Sequence, residues 1–235
     1  MLSKLLRFFR KDDEALFDDE DFSWIFPPQD LLDPAAWDQY WISQLEHGIG
    51  PQLADLFCRD YRLVEAMTRA DMKTVLCVGS GISQEPRALA AAGFKVVAMD
   101  LSTTAMEIAR RVPFADDDVQ SFYDPKFQRP GGMVDFVVGN FLDPKVCPGP
   151  FDVIIERRTA QLFAGSDLDG VMSKLTNRLS DNGIFFSHCH DACWKPPAEP
   201  THYARSWFKE NEWTLWSGEG DKPSGRVAWT FISTG

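Results

Sequence analysis

Short apolar runs alternate with longer amphipathic stretches from residue 73 to the end of the chain. The runs are rich in β-branched residues and are bounded by glycine or charged residues, which is typical of strands buried on both faces. A Gly/Pro-rich turn separates the last two runs and predicts a terminal hairpin. The predicted strands are 73–79, 95–100, 134–139, 151–156, 184–188, 213–216 and 226–233.

Helical spacing of apolar residues fills the segments between the strands. Helices are predicted over 84–92, from about 102 to 111, and from Ser166 to Asn182-Gly183, the last with Leu175 and Leu179 on one face. This alternation predicts an α/β fold, a doubly wound, mostly parallel sheet of seven strands with right-handed crossovers. Ligands of such sheets bind beyond the carboxyl ends of the strands, so each candidate residue is judged by whether it lies there.

The N-terminal part has a different organisation. Residues 1–32 are predicted to form an acidic, aromatic arm, residues 33–70 a helical cap, and residues 71–235 the α/β domain. Asp33 before Pro34 marks a helix start, because aspartate is a good N-cap and proline suits the first helical position. That helix carries three aromatic residues, for which a place in the core is the ordinary interpretation, and a second helix follows Pro51. The three are Trp37, Tyr40 and Trp41.

A glycine turn and an acid carry the candidate chemistry. Gly79 and Gly81 follow the first strand, where the lack of a Cβ lets the backbone approach a ligand. Asp100 ends the second strand, where a carboxylate can accept hydrogen bonds from both hydroxyls of a ribose. A dinucleotide fingerprint needs a third glycine, and Gln84 stands there. The pattern therefore favours an adenosine ligand without phosphates, S-adenosylmethionine.

Three segments resemble motifs of the class I S-adenosylmethionine-dependent methyltransferases. Residues 73–110 are similar to the first two motifs, Gly139-Asn140-Phe141-Leu142-Asp143 to the acidic motif after strand three, and FDVIIERRTAQLF (151–163) to the strand-four motif. The nearest branches are the thiopurine-methyltransferase-like and small protein-lysine methyltransferase-like enzymes. The resemblance implies the Rossmann-like methyltransferase fold, and methyl transfer to a small molecule or, as the less favoured option, a protein side chain.

The resemblance also implies a role for individual residues. The glycine turn would meet the methionine portion of the cofactor, Asp100 the ribose, and Leu101, Asn140 and Phe141 the adenine. Residues at the ends of strands four and five would face the methyl donor or the acceptor, with the first helix as a lid in one branch. The implied cofactor-binding residues are Gly79, Ser80, Gly81, Asp100, Leu101, Asn140, Phe141 and Glu156. The predicted catalytic residues are Glu156 and Arg157 at the end of strand four and His188 at the end of strand five, with Asp143 and Asp191 as further candidate bases for an acceptor that must lose a proton.

Two positions depart from the family pattern. Cys77 stands where members often have an acid that orients the methionine ammonium, so Glu156 or a backbone carbonyl must substitute. Ser83 replaces a third glycine and is expected to cap the following helix. These departures keep open a non-catalytic, methyltransferase-like binding or regulatory protein. A nicotinamide-dependent oxidoreductase is a second alternative, against which Gln84 counts.

The composition of the chain limits the kinds of partner and the cellular compartment that are expected for it. A formal net charge of −11 argues against nucleic acid, whose binders show a basic footprint. Five Cys without a disulfide-like pattern are typical of reduced thiols and favour a cytoplasmic protein. No apolar run has the length of a membrane span, so no stable membrane insertion is expected. The spacing His188-x-His190-x-x-Cys193 is irregular, and no metal site is predicted from it. Nothing in the sequence indicates an oligomeric state.

Overall fold

The structure is a computed structural model. It describes residues 27–48, 64, 67–111, 129–157, 159–163, 165–190, 213–217 and 226–232. The strands are β1 (Thr74–Val78), β2 (Lys95–Asp100), β3 (Met133–Val138), β4 (Phe151–Arg157), β5 (Leu179–His190), β6 (Trp213–Ser217) and β7 (Arg226–Ile232). The helices are α1 (Pro34–Glu46), α2 (Glu85–Ala91), α3 (Thr103–Arg111) and α4 (Gly165–Thr176), with a 3₁₀ turn at Ala160–Leu162.

The strands form one seven-stranded sheet in the order β3-β2-β1-β4-β5-β7-β6. The pairs among β1 to β5 are parallel, whereas β7 runs antiparallel between β5 and β6. The strand order reverses beside β1, which is the point where doubly wound sheets bind ligands. The predicted α/β class, with its mostly parallel sheet, is confirmed.

Alternation along the central strands divides the core into two layers. Val75 and Cys77 of β1 face a layer with Ala88 and Leu89 of α2. Leu76 and Val78 face the opposite layer, which Val171 and Leu175 of α4 help to form. Because successive strand residues point to opposite faces, a continuous apolar run lets β1 be buried on both sides. β1 is thereby buried on both faces up to Val78, where the loop with the glycine turn begins.

The start of α1 agrees with the sequence prediction. The Asp33 side chain accepts a hydrogen bond of 2.9 Å from the backbone N–H of Ala35, and Pro34 occupies the first turn. Gly48, just beyond the helix, has a φ of +78°. Of the second predicted helix, Val64 and residues 67–69 are helical, and Val64 and Met67 are buried. The rest of that helix, 51–63, lies outside the described residues, as do residues 1–26 of the arm.

The predicted end of the last helix is wrong. α4 ends at Thr176, and β5 already begins at Leu179 instead of at 184. Leu179 continues the helical spacing of Leu175, but it pairs with Phe151 of β4 instead, and the register shifts before Ile184. A Cβ at Gly183 would lie 2.9 Å from the carbonyl oxygen of Ser180, so this irregular start of β5 accommodates glycine there. Strand pairing therefore outweighed helical periodicity.

Within the described helices, none has the length and apolar character needed to span a bilayer.

Candidate functional site

The turn after β1 requires its two glycines. Gly79 and Gly81 have φ values of +57° and +51°, a region that glycine adopts without strain. A Cβ at Gly79 would lie 2.1 Å from Thr159 Oγ1, and one at Gly81 would lie 2.6 Å from Trp41 Cζ2. The turn is therefore packed against the segment after β4 on one side and against α1 on the other.

Asp100 joins this turn to the end of β2. Its Oδ2 accepts a hydrogen bond of 2.8 Å from the Gly81 N–H, and its Oδ1 accepts one of 2.9 Å from the Ser102 N–H. Burial raises the pKa of Asp100 above the ordinary 3.8, against the opposing effect of these two bonds. Each carboxylate oxygen has a second lone pair, so Asp100 can still accept from a ligand. The structure therefore brings the glycine turn and Asp100 together, while their role in binding a cofactor stays a prediction.

Helix α1 is fastened next to Asp100. Asp38 Oδ1 accepts from the Ser102 hydroxyl at 2.6 Å and from the Thr104 N–H at 2.8 Å. Burial raises the pKa of Asp38, but the hydrogen bonds from Ser102 and Thr104 outweigh it, and the pKa is lowered from 3.8. Asp38 thereby acts on the first turn of α3, whose free N–H groups need acceptors. Sequence reasoning did not single out Asp38, because its partners lie far along the chain.

The end of β3 reaches the same edge. The Gly139 N–H donates to the Asp100 carbonyl at 2.9 Å, which places Asn140 and Phe141 beyond the end of β2. Asn140 Oδ1 accepts a 2.8 Å hydrogen bond from the Leu142 N–H, and Phe141 is buried edge to face against Phe163. Asn140 therefore shapes the turn, with its amide nitrogen and a further lone pair left for other partners.

Glu156 and Arg157 end β4 but face different layers. Glu156 Oε2 accepts from the backbone N–H groups of Thr159 and Ala160, both at 3.0 Å. Arg157 lies over the ring of Phe186 in the α2 layer. Adjacent strand residues point to opposite faces of the sheet, which explains why Glu156 and Arg157 lie in different layers.

The partner of Arg157 is Glu85, which sequence reasoning missed. Arg157 Nε donates to Glu85 Oε2 at 2.7 Å, and the Glu85 side chain is 5% exposed. Cys77 is close enough for both charges to act on its thiol, and burial raises the pKa of Cys77 well above 9.0. The backbone N–H of Glu85 donates to Ser83 Oγ at 3.1 Å, so Ser83 contacts the helix start as predicted. No local pattern marks Glu85, because its role depends on β4.

His188 is placed only through its backbone. It pairs with Arg157 of β4 and Ala228 of β7, at the carboxyl end of β5. His190 and Cys189 continue that strand, whereas Asp191 and Cys193 lie outside the described residues. Among the residues that the structure describes, no group of three or more His, Cys, Asp or Glu is arranged to hold a metal ion.

Sequence comparison identifies the domain. Residues 76–187 match a family model described as a methyltransferase domain, and this range contains the glycine turn, Asp100 and the end of β4. This part of the chain is a class I S-adenosylmethionine-dependent methyltransferase domain. Its cofactor is S-adenosylmethionine, so the oxidoreductase alternative is not supported. The range begins inside β1 and ends inside β5.

Solved methyltransferases share the fold. A TehB-like S-adenosylmethionine-dependent methyltransferase from Corynebacterium glutamicum is 16% identical with a TM-score of 0.54, covering 85% of this chain and 97% of that one. The plantazolicin methyltransferase BpumL in complex with SAH is 11% identical with a TM-score of 0.56, covering 90% and 93%. The glycopeptide N-methyltransferase MtfA complexed with SAH is 14% identical with a TM-score of 0.53, covering 75% and 89%. No curated protein matches the chain in sequence.

The residues of the methyltransferase fit this cofactor. Glycine at positions 79 and 81 allows the positive φ values of the turn, and Thr159 and Trp41 close on the places where Cβ atoms would otherwise lie. The Ser80 hydroxyl is buried and has no hydrogen-bond partner among the described residues. Asp100 retains acceptor capacity beside the turn. These groups match a ligand with a ribose at one end and a polar amino-acid group at the other.

Proposed function

We propose that the methyltransferase transfers a methyl group from S-adenosylmethionine to a small-molecule acceptor. In this proposal Asp100 accepts from the ribose hydroxyls, Gly79, Ser80 and Gly81 hold the methionine portion, and Leu101, Asn140 and Phe141 surround the adenine. The observation that carries the assignment is the 2.8 Å hydrogen bond from the Gly81 N–H to Asp100. It joins the glycine turn directly to the acid, so one ligand can contact both.

The chain's contribution to the reaction is mainly positioning. The bound cofactor supplies a methyl group on a sulfonium, and transfer is an in-line displacement that depends on alignment. Arg157, held by Glu85, would orient the acceptor, and Glu156 would hold the Thr159–Ala160 turn against Gly79. His188, in register with Arg157, is our candidate base for an acceptor that must lose a proton.

Several observations favour a small acceptor. Trp41 packs on Gly81, so α1 covers one side of the turn and restricts access to it. Two of the solved relatives are named as methyltransferases of plantazolicin and of a glycopeptide, and neither name refers to a folded protein acceptor. A protein side chain remains the second candidate, and the acidic charge of the chain would favour a basic protein partner.

The test uses the full chain with S-adenosylmethionine labelled in the methyl group. It is incubated with the low-mass and the protein fractions of a cell extract, and label transfer and S-adenosylhomocysteine formation are measured. We expect label in the low-mass fraction, and much less of it with the Asp100→Ala variant at a limiting cofactor concentration.

Label found only in protein would overturn the acceptor class. Cofactor binding by calorimetry without any S-adenosylhomocysteine formed would support the non-catalytic alternative instead.

A further inference from the structure

Four polar atoms around the glycine turn are buried without a hydrogen-bond partner among the described residues. They are Trp41 Nε1, Ser80 Oγ, and both Oε1 and Nε2 of Gln84. Gln84 is 2% exposed, so bulk solvent does not reach its side chain. An unpaired buried donor or acceptor costs about 1–3 kcal/mol. Four unpaired buried atoms at one turn indicate that a bound ligand supplies their hydrogen-bond partners.

All three residues lie at the same turn: Ser80 and Gln84 belong to it, and Trp41 of α1 packs against it. Ser80 lies between the two glycines, and the Ser83 N–H donates to the Ser80 carbonyl at 3.1 Å, so the chain turns back just before Gln84. Trp41 Cε2, which is bonded to Nε1, would be 3.6 Å from a Cβ on Gly81. Gln84 is the residue directly before α2 and makes no capping bond with its side chain. The unpaired atoms therefore come from α1, from the glycine segment of the turn and from the residue directly before α2.

The nearby acids are already engaged. Position 77 holds a thiol whose pKa burial raises well above 9.0, so it stays neutral. Glu85 pairs with Arg157 at 2.7 Å, and Glu156 accepts from the N–H groups of Thr159 and Ala160. A carboxamide offers both an acceptor and two donors, and an amino acid's ammonium and carboxylate need one of each.

We propose that Gln84, together with the Ser80 hydroxyl, binds the amino-acid end of S-adenosylmethionine and replaces the acid that is missing at position 77. This inference rests on the proposed cofactor site. Gln84 would also exclude a dinucleotide, because its side chain fills the place where a pyrophosphate needs a glycine. Gln84 would thus both favour S-adenosylmethionine and disfavour a dinucleotide.

The test compares two ligands that share the adenosyl thioether. S-adenosylhomocysteine has the amino-acid end, whereas 5′-methylthioadenosine lacks it. The variant Gln84→Met keeps the approximate length of the side chain and removes both polar atoms. By calorimetry we expect Gln84→Met to bind S-adenosylhomocysteine about tenfold more weakly, the loss of one good hydrogen bond. Its affinity for 5′-methylthioadenosine should match that of the wild-type protein.

The melting temperature without ligand is the second readout. Replacing an unpaired buried amide with an apolar group is neutral or stabilising, so the Gln84→Met protein should melt at the same or a higher temperature. A lower melting temperature, equal losses for both ligands, or unchanged affinity for S-adenosylhomocysteine would each overturn the role of Gln84. If the wild-type protein bound neither ligand, the proposed cofactor site would itself be wrong, and Gln84 with it.

Discussion

At the scale of single residues, Asp100 combines two opposing requirements. Its carboxylate accepts from the backbone at Gly81 and Ser102, which favours the charged form, but burial disfavours that form more strongly. The net result is a raised pKa, so in the free protein the charge is maintained at neutral pH at some cost in stability. A ligand whose two hydroxyl groups donate hydrogen bonds to this carboxylate would offset that cost.

We therefore predict that cofactor affinity is sensitive to acid. As pH falls from neutral, Asp100 takes up its proton above the ordinary pKa of 3.8, and a protonated carboxyl loses acceptor capacity. Calorimetry with S-adenosylhomocysteine should show affinity falling before an ordinary aspartate would titrate. Asp100→Ala should bind about tenfold or more weakly at neutral pH and lack this acid-dependent loss. Identical pH profiles for the two proteins would count against the ribose assignment.

At the scale of elements, the contact between α1 and α3 is a polar cap supplied by a different helix. Asp38 Oδ1 accepts from the Ser102 hydroxyl and from the Thr104 N–H at the start of α3. Ser102 Oγ in turn accepts from the Ala105 N–H at 3.0 Å. The start of α3 and the position of α1 are thus linked by one carboxylate oxygen. Trp41, one turn further along α1, is held on Gly81 by the same docking.

Removing this link should release α1. Asp38→Ala leaves the Thr104 N–H and the Ser102 hydroxyl without their acceptor, and we expect a stability loss of about 1–2 kcal/mol. Asp38→Asn is the matched control, because its amide oxygen can take the place of Oδ1. Hydrogen exchange of the α1 amides should accelerate in the alanine variant and stay near wild type in the asparagine variant. Equal exchange in both variants would show that the link does not hold the helix.

At the scale of the whole molecule, Asp152 fastens three central strands at the edge opposite the site. Its Oδ2 accepts from the Lys73 and Thr74 N–H groups at 2.8 and 3.0 Å, and its Oδ1 from the Ser180 hydroxyl at 3.0 Å. Burial raises the pKa of Asp152, but these hydrogen bonds outweigh it and lower the pKa below 3.8. The entry to β1, the start of β4 and the start of β5 are therefore joined by one side chain.

We predict that Asp152→Ala lowers the free energy of unfolding by about 2–3 kcal/mol, since several charge-assisted hydrogen bonds are lost. Because the pKa of Asp152 is lowered from 3.8 in the folded protein, the stability that its charged form contributes is present at pH values above 3.8. This stability is lost as the pH falls through the folded-state pKa. Urea unfolding followed by tryptophan fluorescence should show the difference at neutral pH and its decrease in acid. Asp135→Ala, at an exposed acid in β3, serves as the control and should unfold like the wild type.

The strands were predictable because their information is local. Apolar, β-branched runs mark β1, β2 and β4 whatever surrounds them, and Asp33-Pro34 marks the start of α1. The end of α4 was not predictable in this way, since Leu179 fits a helix face as well as it fits β5. Pairing with Phe151 decides between the two, and that contact exists only after the sheet has formed.

The same distinction applies to the candidate site: some of its features follow from local sequence, and others from tertiary contacts. The sequence by itself determined the glycine turn, the acid at the end of β2 and the residue types after β3 and β4, because each of these follows directly from a strand. Only the tertiary structure decided that Arg157 pairs with Glu85, that Asp38 holds α3 and that Trp41 covers Gly81. These contacts join segments distant along the chain, and their partners are chosen by the packing of the layers, which local sequence patterns do not encode.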